Sequence, residues 1–144
     1  MPRVKKQIAL FLLAVALTAC GNNNSPASQP EAATASTKAP DASAALDAVR
    51  KTSEAQATYF KINRRFALTY DELIEARLLN NEPTAAQTGY EFKLRPSADA
   101  QTYKLVVVPS DPKATTVQYF FTDQTGAIRA ETGKEATADS PEVK

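Results

Sequence analysis

Only one side chain in this sequence has the chemistry of a strong nucleophile, and it stands alone. Cys20 is the single cysteine among 144 residues, and there is no histidine. Without histidine there is no Ser-His-Asp or Cys-His relay and no imidazole to ligate zinc. One cysteine cannot close an intramolecular disulfide. The four glycines form neither a GxGxxG nor a P-loop, so no Gly-rich phosphate cradle is present. Carboxylates remain. Asp71-Glu72 is a conspicuous pair, but it falls at a predicted helix start, which accounts for it. A two-carboxylate glycosidase is compatible with the residue types, yet the chain lacks a long loop to build its cleft. The expectation is a non-enzymatic protein with no cofactor and no metal.

The surroundings of Cys20 define its chemistry. Arg3, Lys5 and Lys6 precede the apolar run Ile8-Ala9-Leu10-Phe11-Leu12-Leu13-Ala14-Val15-Ala16-Leu17, and small residues close it. That order is a secretory signal. The run is well short of the roughly 20 residues that cross a bilayer, and three asparagines follow it closely. The segment Leu17-Thr18-Ala19-Cys20 resembles the bacterial lipobox. The resemblance implies a diacylglycerol thioether on Cys20, cleavage before that residue, and acylation of the new amino group. Cysteine suits the alkylation because a thiolate is a good nucleophile. The alternative is an ordinary secretory signal with a leftover free thiol. Each buried methylene contributes ~0.8 kcal/mol, so several chains on one residue would hold it on the membrane. Gly21, rather than Asp, follows the cysteine. In lipoproteins of two-membrane bacteria this favours the outer membrane, facing the periplasm.

Loss of residues 1–19 would remove three of the 17 basic residues and leave 14 against 16 acidic ones. Nucleic acid needs a basic surface and is not an expected partner. After Cys20 and Gly21, residues 22–40 are Asn, Ser, Ala, Pro, Thr and Gln with Glu31 and Lys38, so residues 20–40 contain no large apolar residue. Such a segment cannot offset its ordering entropy and reads as a disordered linker. Its root-mean-square span as a coil is on the order of 25 Å. The folded part would therefore stay close to its membrane.

From residue 41 to 131 the pattern is that of one small domain. Asp41 or Ser43 can cap a helix running to Asn63. Ala48, Thr52, Ala55, Tyr59 and Ile62 recur at helical spacing, with Leu46 and Val49 widening that face. Lys61, Arg64 and Arg65 suit the carbonyl end of the dipole. Thr69-Tyr70-Asp71-Glu72 is a capping box for a short helix to about Arg77. The period then changes to two. Tyr90, Phe92 and Leu94 alternate with Glu91, Lys93 and Arg95 in a half-buried strand. Residues 102–107 form a second strand, stopped by Pro109. The third has Val117, Tyr119 and Phe121 facing inward and Gln118, Phe120 and Thr122 outward. Asp123-Gln124-Thr125-Gly126 is a hairpin turn into a short fourth strand, Ala127–Ala130. Residues 132–144 are polar and read as a loose tail. The predicted fold class is α+β, with one N-terminal helix packed on a three- to four-stranded antiparallel sheet.

The stretch Val49–Phe60 resembles the later part of the long helix of bacterial type IV pilin-like proteins and type II secretion pseudopilins. Tyr70-Asp71-Glu72-Leu73 resembles the element that follows it there. Gly89-Tyr90-Glu91-Phe92 and Tyr119–Arg129 resemble the strands and the last hairpin. The resemblance spans roughly residues 44–131 and implies a pilin-like head. The chain departs from that family in lacking the prepilin cleavage site and the hydrophobic stem; a lipobox cysteine and a tether stand there instead. A calcium-binding C-terminal loop is not evident, since little beyond Asp123 could ligate the ion.

These readings imply a structural or interaction module docking on another envelope protein, with outward Phe120, Val106 and Val108 as candidate contacts. A small-ligand-binding periplasmic lipoprotein with a pocket between helix and sheet is the alternative. An atypical minor pseudopilin in a filament is a third reading.

Overall fold

A computed structural model describes residues 38–144. The signal sequence, the lipobox Leu17, Thr18, Ala19 and Cys20, and nearly all of the linker lie outside the described residues.

The long helix α1 spans Ala42–Asn63. It starts where Asp41, in extended conformation, accepts a hydrogen bond from Ala44 N at 3.0 Å. It stops where Arg64 turns left-handed with φ 58° and donates its N–H to Phe60 O. Its core-facing side buries Ala45, Val49, Thr52, Ser53, Ala55, Gln56 and Tyr59. Ile62, expected on this face, is 69% exposed. Helix α2, Tyr70–Glu75, begins at Thr69, whose hydroxyl accepts from Glu72 N at 3.3 Å. The other half of the expected capping box is altered, because the Glu72 carboxylate takes the N–H of Leu68 at 3.0 Å. Helix α3, Ala85–Thr88, is a single turn that the periodicity did not reveal.

Four strands follow: β1 Tyr90–Pro96, β2 Tyr103–Pro109, β3 Gln118–Asp123 and β4 Ile128–Thr132. They pair antiparallel in the order β1-β2-β3-β4, a simple meander. The fold is thus α+β, one long helix on a four-stranded antiparallel sheet. The register sets Leu94 opposite Leu105, Phe92 opposite Val107, Val107 opposite Phe120 and Phe120 opposite Ala130. These residues share the face toward α1, and with Val49, Tyr59, Phe66, Tyr70, Leu73, Tyr90 and Tyr103 they make one core. Full burial of a Val, Leu or Phe contributes about 1.5–3 kcal/mol, so this layer supplies most of the drive to fold. Phe66 bridges the layers, with its ring centroid 4.6 Å from Phe60 and 4.9 Å from Tyr103.

The expected parity of β3 is reversed. Phe120 is 1% exposed and Thr122 fully buried on the helix side. Phe121 points to the opposite face, where it meets Val106, Val108, Tyr119 and Ala136. The expected loose tail is also corrected. Ala136 and Ser140 are buried. Ala130 N donates to Pro141 O at 2.9 Å, and Val143 N to Ile128 O at 2.8 Å. Arg129 reaches Ser140 O at 2.9 Å. Residues 133–144 therefore cross the outer face and wrap the β4 edge, and Val143 packs on the main core.

Gly89 is a point of close backbone approach. Its φ is +75°, and an added Cβ would stand 2.6 Å from Lys38 O and 2.7 Å from Ala39 O. Asp41 N donates to Thr88 O beside it at 2.8 Å. Gly89→Ala combines left-handed strain with a clash against backbone, so it should destabilise by about 2–3 kcal/mol. Urea denaturation of the two chains would measure it; an unchanged midpoint would mean that the incoming segment does not seat on Gly89.

Candidate functional site

The three expected contact residues do not form one exposed patch. Phe120 lies in the core against Tyr90, with ring centroids 6.0 Å apart. Val106 is 8% exposed under Ala136, and Val108 is half-buried beside it. The reason is the tail: it covers the apolar outer positions of β2 and β3 that the sequence left open. As a docking face this set is corrected to Val108 at most.

Between α1 and the sheet, the described side chains Val49, Tyr59, Leu105, Val107 and Phe120 are buried in one packed core. A groove of about 670 Å³ lies elsewhere, between α1 and the segment from Leu78 to Thr88. Small residues of α1 form its floor, Ala44, Ala48, Ala55 and Thr58, and Lys51 and Glu54 stand along it. Leu78 and Leu79 form the other wall with Asn80, Asn81 and Pro83. The segment turns back on itself because Leu78 N and Leu79 N both donate to Leu73 O, at 2.9 and 3.2 Å. Such a wall suits a small mixed polar and apolar ligand better than bond-making chemistry. Its only ionisable side chains are Asp47, Lys51 and Glu54, and Asp47 already lies 3.7 Å from Arg50.

A polar cluster joins α1 to α2. Arg65 donates from Nη1 to Glu72 Oε2 at 2.9 Å and from Nη2 to Oε1 at 3.3 Å. Nη2 also reaches the Tyr59 hydroxyl at 3.1 Å, and the guanidinium carbon lies 5.4 Å from the Tyr59 ring centroid. Hydrogen bonding from Arg65 holds the Glu72 carboxyl below the ordinary carboxylate range, and the Leu68 N–H adds to this. Burial pushes the Tyr59 hydroxyl up, and the nearby Glu72 charge acts the same way. Each group here bonds to another, so the cluster clamps the α1–α2 turn. Sequence reading placed Arg65 with Lys61 and Arg64 as charges at the helix end. Arg65 instead turns back to Glu72, and the signal was present in the Thr69–Glu72 spacing.

A second clamp was missed altogether. Gln56 is fully buried, donates from Nε2 to Ala67 O at 3.1 Å and accepts from Ala67 N at 2.9 Å. It closes the same turn from the core side. Burial also pushes the Tyr70 hydroxyl well above the ordinary tyrosine range and raises the Tyr103 hydroxyl.

Among the described residues, no group of three His, Cys, Asp or Glu side chains is placed to hold a metal ion. No described helix is long and apolar enough to cross a membrane. Comparison with protein-family models, with curated proteins and with solved structures finds no match.

Proposed function

We propose that this chain is a membrane-anchored extracytoplasmic lipoprotein, held by acyl chains on Cys20. Its pilin-like α+β head acts as a non-enzymatic interaction module in the cell envelope, docking on another envelope protein and linked to a secretion or pilus system. In an organism with two membranes it resides in the outer membrane, facing the periplasm. The observation that carries the reading is a lipobox-type cysteine set ahead of a small head made of one long helix on an antiparallel meander. A module of this kind works by surface and position, consistent with side chains such as Arg65, Glu72 and Gln56 being spent on holding turns.

A small-ligand-binding lipoprotein is the second reading, and the 670 Å³ groove beside α1 is what favours it. The size is within the range of small-molecule sites. Mass spectrometry of the gently purified protein separates the two: a reproducible co-purified ligand favours the groove. A minor pseudopilin in a filament is the third, and filaments containing this chain under the electron microscope would favour it.

Two experiments test the main reading. Cys20→Ser should abolish the lipid mass increment and release the head from the membrane fraction, or leave the precursor unprocessed. A variant that still carries lipid and shows the mature mass would overturn the anchor. Crosslinking in intact cells should then capture one dominant envelope protein, and a uniformly partnerless chain would overturn the module.

A further inference from the structure

A sheet edge is a template for another strand unless something covers it. This sheet has two edges, and they differ. The β4 edge is closed by the chain's own C-terminal segment through the Ala130–Pro141 and Val143–Ile128 bonds and the bridge between Arg129 and Glu142. The β1 edge is not closed in this way.

The flanking bonds fix which groups that edge offers. Ser110 N donates to Gly89 O and Ser97 N to Thr102 O, each at 2.9 Å. Antiparallel pairs alternate, so Glu91, Lys93 and Arg95 bond to β2, and Tyr90, Phe92, Leu94 and Pro96 direct their backbone groups outward. Tyr90 is already capped: its N–H donates to Thr88 Oγ1 at 3.1 Å, and that hydroxyl reaches Tyr90 O at 3.4 Å. Pro96 has no N–H to offer. Phe92 and Leu94 remain, and their outward N–H and C=O take no partner among the described residues. Both side chains are half-buried and border a groove of about 310 Å³ with Leu68, which is 42% exposed.

We propose that a second copy of this chain pairs on this edge, β1 against β1 in antiparallel sense, about a two-fold axis at Lys93. Phe92 then faces the partner's Leu94, and each such pair exchanges both its N–H···O bonds, so every outward group of the two residues is satisfied. Glu91 faces the partner's Arg95 on both sides of the axis, and the apolar Leu68, Phe92 and Leu94 of the two copies meet. Moving the axis to Phe92 would oppose Leu94 to Tyr90, whose groups Thr88 already occupies. Moving it to Leu94 would oppose Phe92 to Pro96 and Lys93 to Arg95, like charges. The chosen register places the capped Tyr90 opposite the partner's Pro96, where no bond forms, and sets one like-charge contact, Lys93 against the partner's Lys93, and each lysine keeps its own Glu91 at 3.3 Å. Self-pairing requires only this edge and stands independently of lipidation and of any other envelope partner.

The full-length chain in its membrane tests the register by disulfide trapping. Residues opposite one another in non-hydrogen-bonded antiparallel pairs have Cα atoms about 4.5 Å apart, within disulfide reach. Glu91, Lys93 and Arg95 are exposed, so cysteine at any of them leaves the core intact. Lys93→Cys should give an oxidised dimer with a 93–93 linkage confirmed by mass spectrometry, absent from the parent chain carrying Cys20 alone. Glu91→Cys or Arg95→Cys alone should give about tenfold less, and the two variants expressed together should restore it. Glu91→Arg should weaken self-association about tenfold in sedimentation, and Glu91→Arg with Arg95→Glu should recover it. No dimer, equal yields from all three single cysteines, or trapping of Lys93→Cys on a different protein would each overturn the proposal.

Discussion

Gln56→Leu should lower the stability of the head by about 3 kcal/mol, although leucine fits the space and is the more hydrophobic residue. Gln56 is fully buried and holds both backbone groups of Ala67, itself fully buried, in a pair of hydrogen bonds at 2.9 and 3.1 Å. Leucine fills the volume, so no cavity term arises. It leaves an N–H and a C=O out of water without partners, each costing about 1–3 kcal/mol. For a domain of this size that corresponds to a fall of roughly 12–20 °C in Tm. The loss should extend beyond one residue, because Ala67 follows Phe66, whose N–H donates to Ala100 O at 2.8 Å and whose ring joins Phe60 to Tyr103. Thermal unfolding followed by circular dichroism measures it. A melting point within a degree or two of the parent would show that the Ala67 groups find other partners.

Truncation after Thr132 should be of similar size, with a different signature. It removes Ala136 from over Val106 and Phe121, takes Val143 off the main core, and reopens the β4 edge at Ile128 and Ala130. Partial exposure of one Val and one Phe costs about 2 kcal/mol. Three lost backbone bonds, those made by Gly133, Pro141 and Val143, add about 0.5–1.5 kcal/mol each. The exposed apolar face and bare edge are also a route to edge-to-edge association. The shortened chain should therefore unfold at lower denaturant and scatter light as its concentration rises. A shortened chain that stays monodisperse with an unchanged midpoint would show that the outer face needs no cover.

The residues that were legible in the sequence are those whose role is local. Asp41 and Thr69 begin helices because their side chains bond within three residues. Asp123–Gly126 forms the hairpin, with Gly126 at φ +79° and Thr125 bonded to Asp123. Tyr90, Phe92 and Leu94 alternate cleanly because their neighbours are charged. The third strand was misread for the opposite reason. Tyr119, Phe120 and Phe121 are all aromatic, so a period of two cannot choose between faces, and both faces are in fact covered. The tail was misread because it works mainly through backbone bonds and two small residues, Ala136 and Ser140, which carry no hydrophobic pattern. Gln56 was invisible because a polar residue reads as surface until its partner eleven residues away is known. The groove beside α1 was missed as well, since its far wall comes from Leu78 and Leu79 bending back on Leu73.

The seat of residues 38–41 on Gly89 also governs how the head bears a load. Any pull from the N-terminal side arrives first at Lys38, whose Nζ holds Gln87 O at 2.6 Å, and at Asp41, whose N–H holds Thr88 O at 2.8 Å. Both bonds tie the incoming chain to the residues that open β1. Tension would therefore be shared with the sheet through Thr88 and Gly89 before it could peel turns from the start of α1. The bonds at Gln87 and Thr88 would thus take load before the first turn of α1.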